Sequence, residues 1–174
     1  DDNYGLLLSK TYPKDGGTTI KVENTMTADG KGIRTSRTYE NGVSKFYDYY
    51  TYNSDGTVAS VTRYPSSGTA VKTDYTYTYN ADGSYTVSEK MNGVQNADGA
   101  SVNVTTTKAY DWLGNLVSAT DGNGYTTSYQ YDALGRVKKQ INPDGTSKNI
   151  SYNVSQNSVT VTDENGNVTT SDYT

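Results

Sequence analysis

Tyr131-Asp132-Ala133-Leu134-Gly135-Arg136-Val137 decides the fold of this chain. The unit stands 21 residues earlier as Tyr110-Asp111-Trp112-Leu113-Gly114-Asn115-Leu116. It returns 21 residues later, weakened, as Tyr152-Asn153-Val154-Ser155-Gln156-Asn157-Ser158, and Tyr173 keeps the step once more. A second turn has the same period, at Gly124, Gly145 and Gly166. A fixed period of this size marks a repeat architecture in which each unit packs on its neighbours.

Working outward, Asp-Gly and Asn-Gly pairs punctuate the chain, from Asp15-Gly16 and Asp29-Gly30 through Asn41-Gly42, Asp55-Gly56, Asp82-Gly83, Asn92-Gly93 and Asp98-Gly99 to Asn165-Gly166. Such pairs tolerate the positive φ of primed turns and predict β-hairpins. Early turns lie 12 to 15 residues apart, whereas from Gly114 the steps are 10 and 11. Strands of about eight to ten residues are expected in the first part and about six in the second. The stretch Met91 to Ser101 reads as a longer loop between the two regimes. Residues 1–100 are thus a region of longer hairpins and 101–174 a region of regular repeats, in one continuous sheet. Between the turns, Tyr75, Tyr77 and Tyr79 alternate with Thr76, Thr78 and Asn80, the period of two of a half-buried antiparallel strand. The run Phe46 to Tyr52 places aromatics on both faces, which predicts a bulge or a strand covered on both sides. No segment has helical periodicity.

Composition agrees. The chain has 18 Tyr against one Phe, one Trp and two Met, which suits pleated, half-buried surfaces better than a deep core. Neither Cys nor His occurs, so disulfides, thiolate metal sites, cysteine nucleophiles and the commonest general base are absent. A net charge of −4 argues against nucleic acid as a partner, and no apolar run approaches the ~20 residues of a membrane helix. No cofactor or metal is implied. The Thr-, Asn-, Gly- and Tyr-rich, Cys-free composition points to a secreted or surface-exposed bacterial protein.

On these residues the chain resembles the YD-repeat, or RHS-repeat, family, whose unit reads approximately Tyr-Asp-x-x-Gly-Arg-Leu, then a Thr-Asp-x-x-Gly turn, then a Tyr about 20 residues on. The resemblance covers about residues 108–174, with Tyr52-Asn53-Ser54-Asp55-Gly56 and Tyr79-Asn80-Ala81-Asp82-Gly83 as degenerate relatives. It implies an all-β fold, an antiparallel hairpin-repeat ribbon forming a curved sheet. It also implies roles in enclosing or displaying toxin domains, or in adhesion to surface glycans, as in bacterial polymorphic toxins, wall-associated proteins and teneurins. The self-cleaving Asp-Pro-x-Gly motif of the toxin members is absent, because Asn142-Pro143-Asp144-Gly145 is a repeat turn.

Three functions follow as expectations. The first is a non-catalytic extracellular scaffold, a segment of a shell or surface array. In it Tyr110, Asp111, Gly114, Gly124, Tyr131, Asp132, Gly135, Gly145, Tyr152, Gly166 and Tyr173 are structural. The periodic tyrosines are expected to stack on one another as a ladder, worth about 0.5–1.5 kcal/mol per pair. The Asp of each Tyr-Asp pair accepts hydrogen bonds from turn N–H groups. The second is a carbohydrate-binding adhesion module using Tyr47, Tyr49, Tyr50, Tyr52, Tyr75, Tyr77 and Tyr79. The third is a self-assembling filament subunit. The pattern stops in mid-repeat at Tyr173, so at least one sheet edge is expected to pair with further repeats of the native chain or with another copy. Asp163-Glu164-Asn165-Gly166-Asn167 reads as a β-turn and not a Ca²⁺ loop, since the downstream bidentate Glu is missing. Arg136, Lys138 and Lys139 read as a solvated basic edge.

Overall fold

The computed structural model describes residues 6–173, which form fourteen β-strands and one short 3-10 turn at Asp15–Gly17. The first eight strands are β1 (Ser9–Lys14), β2 (Thr18–Met26), β3 (Ile33–Glu40), β4 (Val43–Tyr52), β5 (Val58–Pro65), β6 (Val71–Tyr79), β7 (Tyr85–Gln95) and β8 (Ser101–Tyr110). The last six are β9 (Leu116–Thr120), β10 (Thr126–Tyr131), β11 (Val137–Ile141), β12 (Ser147–Asn153), β13 (Ser158–Thr162) and β14 (Val168–Asp172). All belong to one sheet in strict sequence order, so every hydrogen-bonded neighbour is a sequence neighbour. This is the topology that short turns at a regular spacing dictate. Strands β2 to β8 run from 8 to 11 residues and β9 to β14 from 5 to 7; β1, with 6 residues, is shorter than the turn spacing predicts, and the long strands extend through β8 to Tyr110, past residue 100.

By packing, the chain divides into two units. One comprises the residues up to Tyr75 with Glu89–Val104; the other comprises Thr76–Ser88 with the residues from Thr105 onward. Among the described residues no apolar side chain is fully buried; the buried residues are Asp48, Ser60 and Ser158. A sheet made of tyrosine, threonine and valine is held by its ladder and by cross-strand pairs, not by a core.

The first unit shows this on both faces. The register places Lys21 opposite Tyr39, Arg37 opposite Tyr47, and Tyr47 opposite Tyr64, all on one face. There the Tyr47 and Tyr64 rings stack at 4.7 Å and the Arg37 guanidinium lies 4.9 Å from the Tyr47 ring. The other face carries Phe46, Asp48 and Tyr50 on β4 beside Val61 and Arg63 on β5. Arg63 donates two hydrogen bonds of 2.8 Å to Asp48, one to each carboxylate oxygen, while its guanidinium lies 4.3 Å from the Phe46 ring. The aromatic run is therefore two-sided because each face has its own chemistry. The expected bulge lies just before the run: Lys45 is the extra residue between Tyr39↔Ser44 and Thr38↔Phe46, and from Phe46 to Thr51 the ladder is regular.

Two turn expectations are corrected. Asn92-Gly93 is not a turn. It lies inside β7, where Gly93 takes φ 67° and donates its N–H to the Asn103 side chain at 3.1 Å. A glycine in the left-handed region within a strand makes a bulge when the ladder continues past it. The expected loop of Met91 to Ser101 shrinks accordingly to Asn96–Ala100. Nor are most of the Asp-Gly turns primed. Only at Asn41-Gly42 do both residues have positive φ, 49° and 77°. In most of the others the glycine alone is left-handed, and in the Asp121-Gly122 loop it is Gly124 that takes that conformation.

Candidate functional site

The Tyr-Asp-x-x-Gly unit is a three-residue hairpin loop closed by a left-handed glycine. In the second repeat the Gly135 N–H donates to the Asp132 carbonyl at 3.0 Å, and the Asp132 N–H donates to the Arg136 carbonyl at 2.9 Å. The Asp132 side chain then braces the loop from outside. Its Oδ1 accepts the N–H groups of Leu134 and Arg136, each at 2.9 Å, and its Oδ2 accepts the Arg136 Nε at 2.7 Å. These bonds, led by the Arg136 N–H, hold its carboxyl below the usual range. Asp111 does the same with Leu113 and Asn115, as does Asp163 with Asn165 and Asn167, and both carboxyls are likewise depressed.

The sequence solves the same turn in a second way. In Asn53-Ser54-Asp55-Gly56-Thr57 the carboxylate moves to the third position, where Asp55 Oδ1 accepts the Thr57 N–H at 2.9 Å and its hydroxyl at 2.6 Å. Asp82 with Ser84 and Asp144 with Thr146 repeat that arrangement. In the first version the aspartate accepts its own turn's N–H groups, as the sequence reading expects of the Tyr-Asp pairs; in the second a single oxygen, Oδ1, does so.

In the first two units the Tyr faces a bulge. Tyr110 pairs with Leu116 and Ala109 with Ser118, leaving Val117 extra; Tyr131 pairs with Val137 and Gln130 with Lys139, leaving Lys138 extra. Tyr52 repeats the geometry with Val58, Ser60 and the extra Ala59. The degenerate relative read at Tyr52 thus has the same hairpin as the regular units. In the third unit Tyr152 pairs with Val159 and Ser151 with Thr160 without a bulge. Its left-handed residue is Asn157, φ 48°, one place beyond the glycine slot. The extra residue has moved from the strand into the loop, so the period survives the loss of Gly and Asp.

The periodic tyrosines join consecutive repeats through their hydroxyls. Tyr131 donates to the Leu116 carbonyl at 2.8 Å and Tyr152 to the Val137 carbonyl at 3.0 Å. Tyr52 donates to the Ile33 carbonyl at 2.7 Å. Partial burial raises the pKa of both Tyr52 and Tyr131. The acceptors stand at the start of the bulged segment of the preceding hairpin. The expected ring ladder takes another form. Tyr85 stacks on Tyr110 at 4.8 Å and Tyr79 tilts against Tyr85 at 5.9 Å, whereas the Tyr152 ring lies 4.1 Å from the Arg136 guanidinium. Arg136 is therefore committed both to Asp132 and to the next repeat's tyrosine, and Lys138 sits in the bulge, so the three basic residues do not act as one cluster.

Of the tyrosines proposed for glycan contact, Tyr47, Tyr49, Tyr50, Tyr52, Tyr75 and Tyr77 are half-buried, and only Tyr79 is well exposed, at 60%. Tyr75 also borders a shallow cavity of about 380 Å³ with Asp48, Arg63, Val71 and Met91. The Asp48–Arg63 pair there lay outside the sequence reading, although an aspartate inside an aromatic run signals a charged partner. Tyr173 is tied by its main chain, its N–H donating to the Asn157 carbonyl at 2.7 Å. Among the described residues no group of three or more His, Cys, Asp or Glu is placed to hold a metal ion, and no helix is long and apolar enough to cross a membrane.

Residues 110–147 match the RHS Repeat family. That segment begins at Tyr110 and contains both complete Tyr-Asp-x-x-Gly hairpins with their bulges. No curated protein matches the chain. The protein is thus an all-β repeat domain with a segment similar to the RHS Repeat family, and the aspartates and tyrosines of that segment bond within and between its own hairpins.

Proposed function

We propose that this protein is a non-catalytic extracellular scaffold, a segment of a bacterial shell or surface array in which hairpins propagate a curved sheet. The observation that carries the reading is the bond from two periodic tyrosine hydroxyls to the preceding hairpin: Tyr131 to Leu116, Tyr152 to Val137. The polar groups that a catalytic or binding site would use are spent on propagating the fold. Region 1–100 supplies long hairpins and 101–174 the regular repeats. Strands β1 and β14 are exposed along their length, which suits strand addition by further repeats or by another copy. The test pairs a glycan array with denaturant unfolding. The scaffold reading expects an empty array and a Tyr131→Phe variant that is less stable. Saturable glycan binding by the wild type would overturn it.

Adhesion is the second reading, supported by the strip Tyr79–Tyr85–Tyr110, whose outer ring is exposed. A hit on the array lost with Tyr79→Ala would favour it.

A further inference from the structure

From β8 to β14 the hairpin loops differ in chemistry by which margin of the sheet they occupy, while the β6–β7 loop, on the margin of the β8–β9 loop, carries Ala81-Asp82. Strands follow one another in order and alternate in direction, so the β8–β9, β10–β11 and β12–β13 loops stand on one margin and the three intervening loops on the other. On the first margin the loop tips are Trp112-Leu113, Ala133-Leu134 and Val154-Ser155; on the second they are Gly122-Asn123, Pro143-Asp144 and Glu164-Asn165. Turn geometry gains nothing from a leucine at such a tip, where Asn, Asp, Ser and Pro are favoured. Yet Trp112, Leu113, Leu134 and Val154 are 70, 63, 72 and 66% exposed. Trp112 is anchored at its root, its Cβ lying 3.3 Å from where a Cβ on Gly83 would stand, while the side chain projects outward.

We propose that this apolar margin is a lateral docking surface for the same margin of a second copy of the chain. Successive tips on one margin are two strand spacings apart, about 9.6 Å. A row with a constant repeat is complementary to itself after a two-fold rotation, so Leu113 and Leu134 of one copy fit the gaps between the tips of the other. The loops hold a fixed shape for this, because Asp111 and Asp132 accept the N–H groups of their own turns. The four side chains present on the order of 400 Å² per copy, which places a single pair of chains at the weak, transient end of specific interfaces. In an array many tips engage at once, and effective concentration converts weak contacts into a lasting one. The inference rests on the scaffold reading and names where strips of the scaffold meet.

Trp112 is the sole tryptophan, so its fluorescence reports the contact directly. Sedimentation velocity and Trp112 emission are followed from micromolar to millimolar protein. The expected result is a rise in sedimentation coefficient with a matching blue shift, and a midpoint at least about tenfold higher in the Leu113→Ser/Leu134→Ser variant. The single variants carry the same comparison should the double variant melt early. A monomer with unshifted emission throughout would overturn the proposal. So would association that the leucine variants leave unchanged, which would indicate strand-edge pairing instead. A blue shift seen only with phosphatidylcholine vesicles would overturn it in favour of a lipid surface. None of these outcomes touches the scaffold reading, which stands or falls on the glycan array and on Tyr131→Phe.

Discussion

The Tyr131 hydroxyl reaches back 15 residues and donates to the carbonyl oxygen of Leu116, 2.8 Å away. This bond makes one repeat depend on the one before it. Removing the hydroxyl leaves a half-buried carbonyl without that partner. Tyr131→Phe and Tyr152→Phe are each expected to cost about 0.5–1.5 kcal/mol in denaturant unfolding. Tyr125→Phe, at an exposed position, should stay within about 0.5 kcal/mol of the parent. Equal effects at all three positions would show that the bonds carry no stability.

Arg136 joins two repeats by a different route, with its fork on Asp132 and its plane 4.1 Å from the Tyr152 ring. Lysine keeps the charge but loses both the fork and the stacking surface. Arg136→Lys is expected to destabilise by about 0.5–1 kcal/mol, and its effect should shrink when Tyr152 is already leucine, with a coupling of about 0.5 kcal/mol or more. Strict additivity in that double-mutant cycle would refute the contact between repeats.

How far the sequence revealed these contacts varied with the kind of atom involved. The strict order of the sheet and the short strands from β9 onward followed from turn spacing, since a short turn can only join neighbours, whereas the lengths of β1 and β8 did not. The role of Asp111 and Asp132 was legible because an aspartate at the head of a tight turn meets its own loop's N–H groups. The latch from Tyr131 was not legible. Its acceptor is a main-chain carbonyl beside a bulge, and the bulge at Lys138 is marked by no residue type. Asn92-Gly93 misled for a related reason: the dipeptide encodes a left-handed glycine, which serves a turn or a bulge, and only the continuing ladder decides between them. The apolar margin was visible in principle, as leucine at turn positions of Trp112-Leu113 and Ala133-Leu134. It became meaningful only once the topology put those loops on the same side.

Acid should weaken the fold through the turn carboxylates. The pKa values of Asp55, Asp82, Asp111, Asp132, Asp144 and Asp163 are all lowered, by hydroxyl, amide or guanidinium groups and N–H groups of their own loops. A carboxyl that holds its proton less readily when folded contributes stability that is fully present above its unfolded pKa of about 3.9. That contribution is lost as pH falls through the depressed folded values. The melting temperature is therefore expected to be flat from neutral pH down to about 5 and to fall steeply below about 4. With Asp132→Asn the acid-dependent part of the fall should be smaller. A melting temperature that holds below the ordinary carboxylate range would remove the role given to these groups.

Gly83 and Gly166 have nearly the same backbone, φ 83° and 84°, but different surroundings. A Cβ on Gly166 would meet nothing within 4 Å, whereas on Gly83 it would lie 3.3 Å from the Trp112 Cβ, whose α-carbon is itself 3.9 Å away. Gly166→Ala should therefore cost the left-handed penalty alone, about 1–2 kcal/mol. Gly83→Ala should cost that and more, because the neighbouring atoms belong to the root of a side chain and give little. Asparagine, which holds the left-handed position at Asn41 and Asn157, should recover much of the loss at Gly166 but not at Gly83. Unfolding curves for the four variants separate the terms. Equal losses for the two alanines would mean that the Asn80–Ser84 loop does not rest against Trp112, and with it would go the fixed root on which the apolar margin depends.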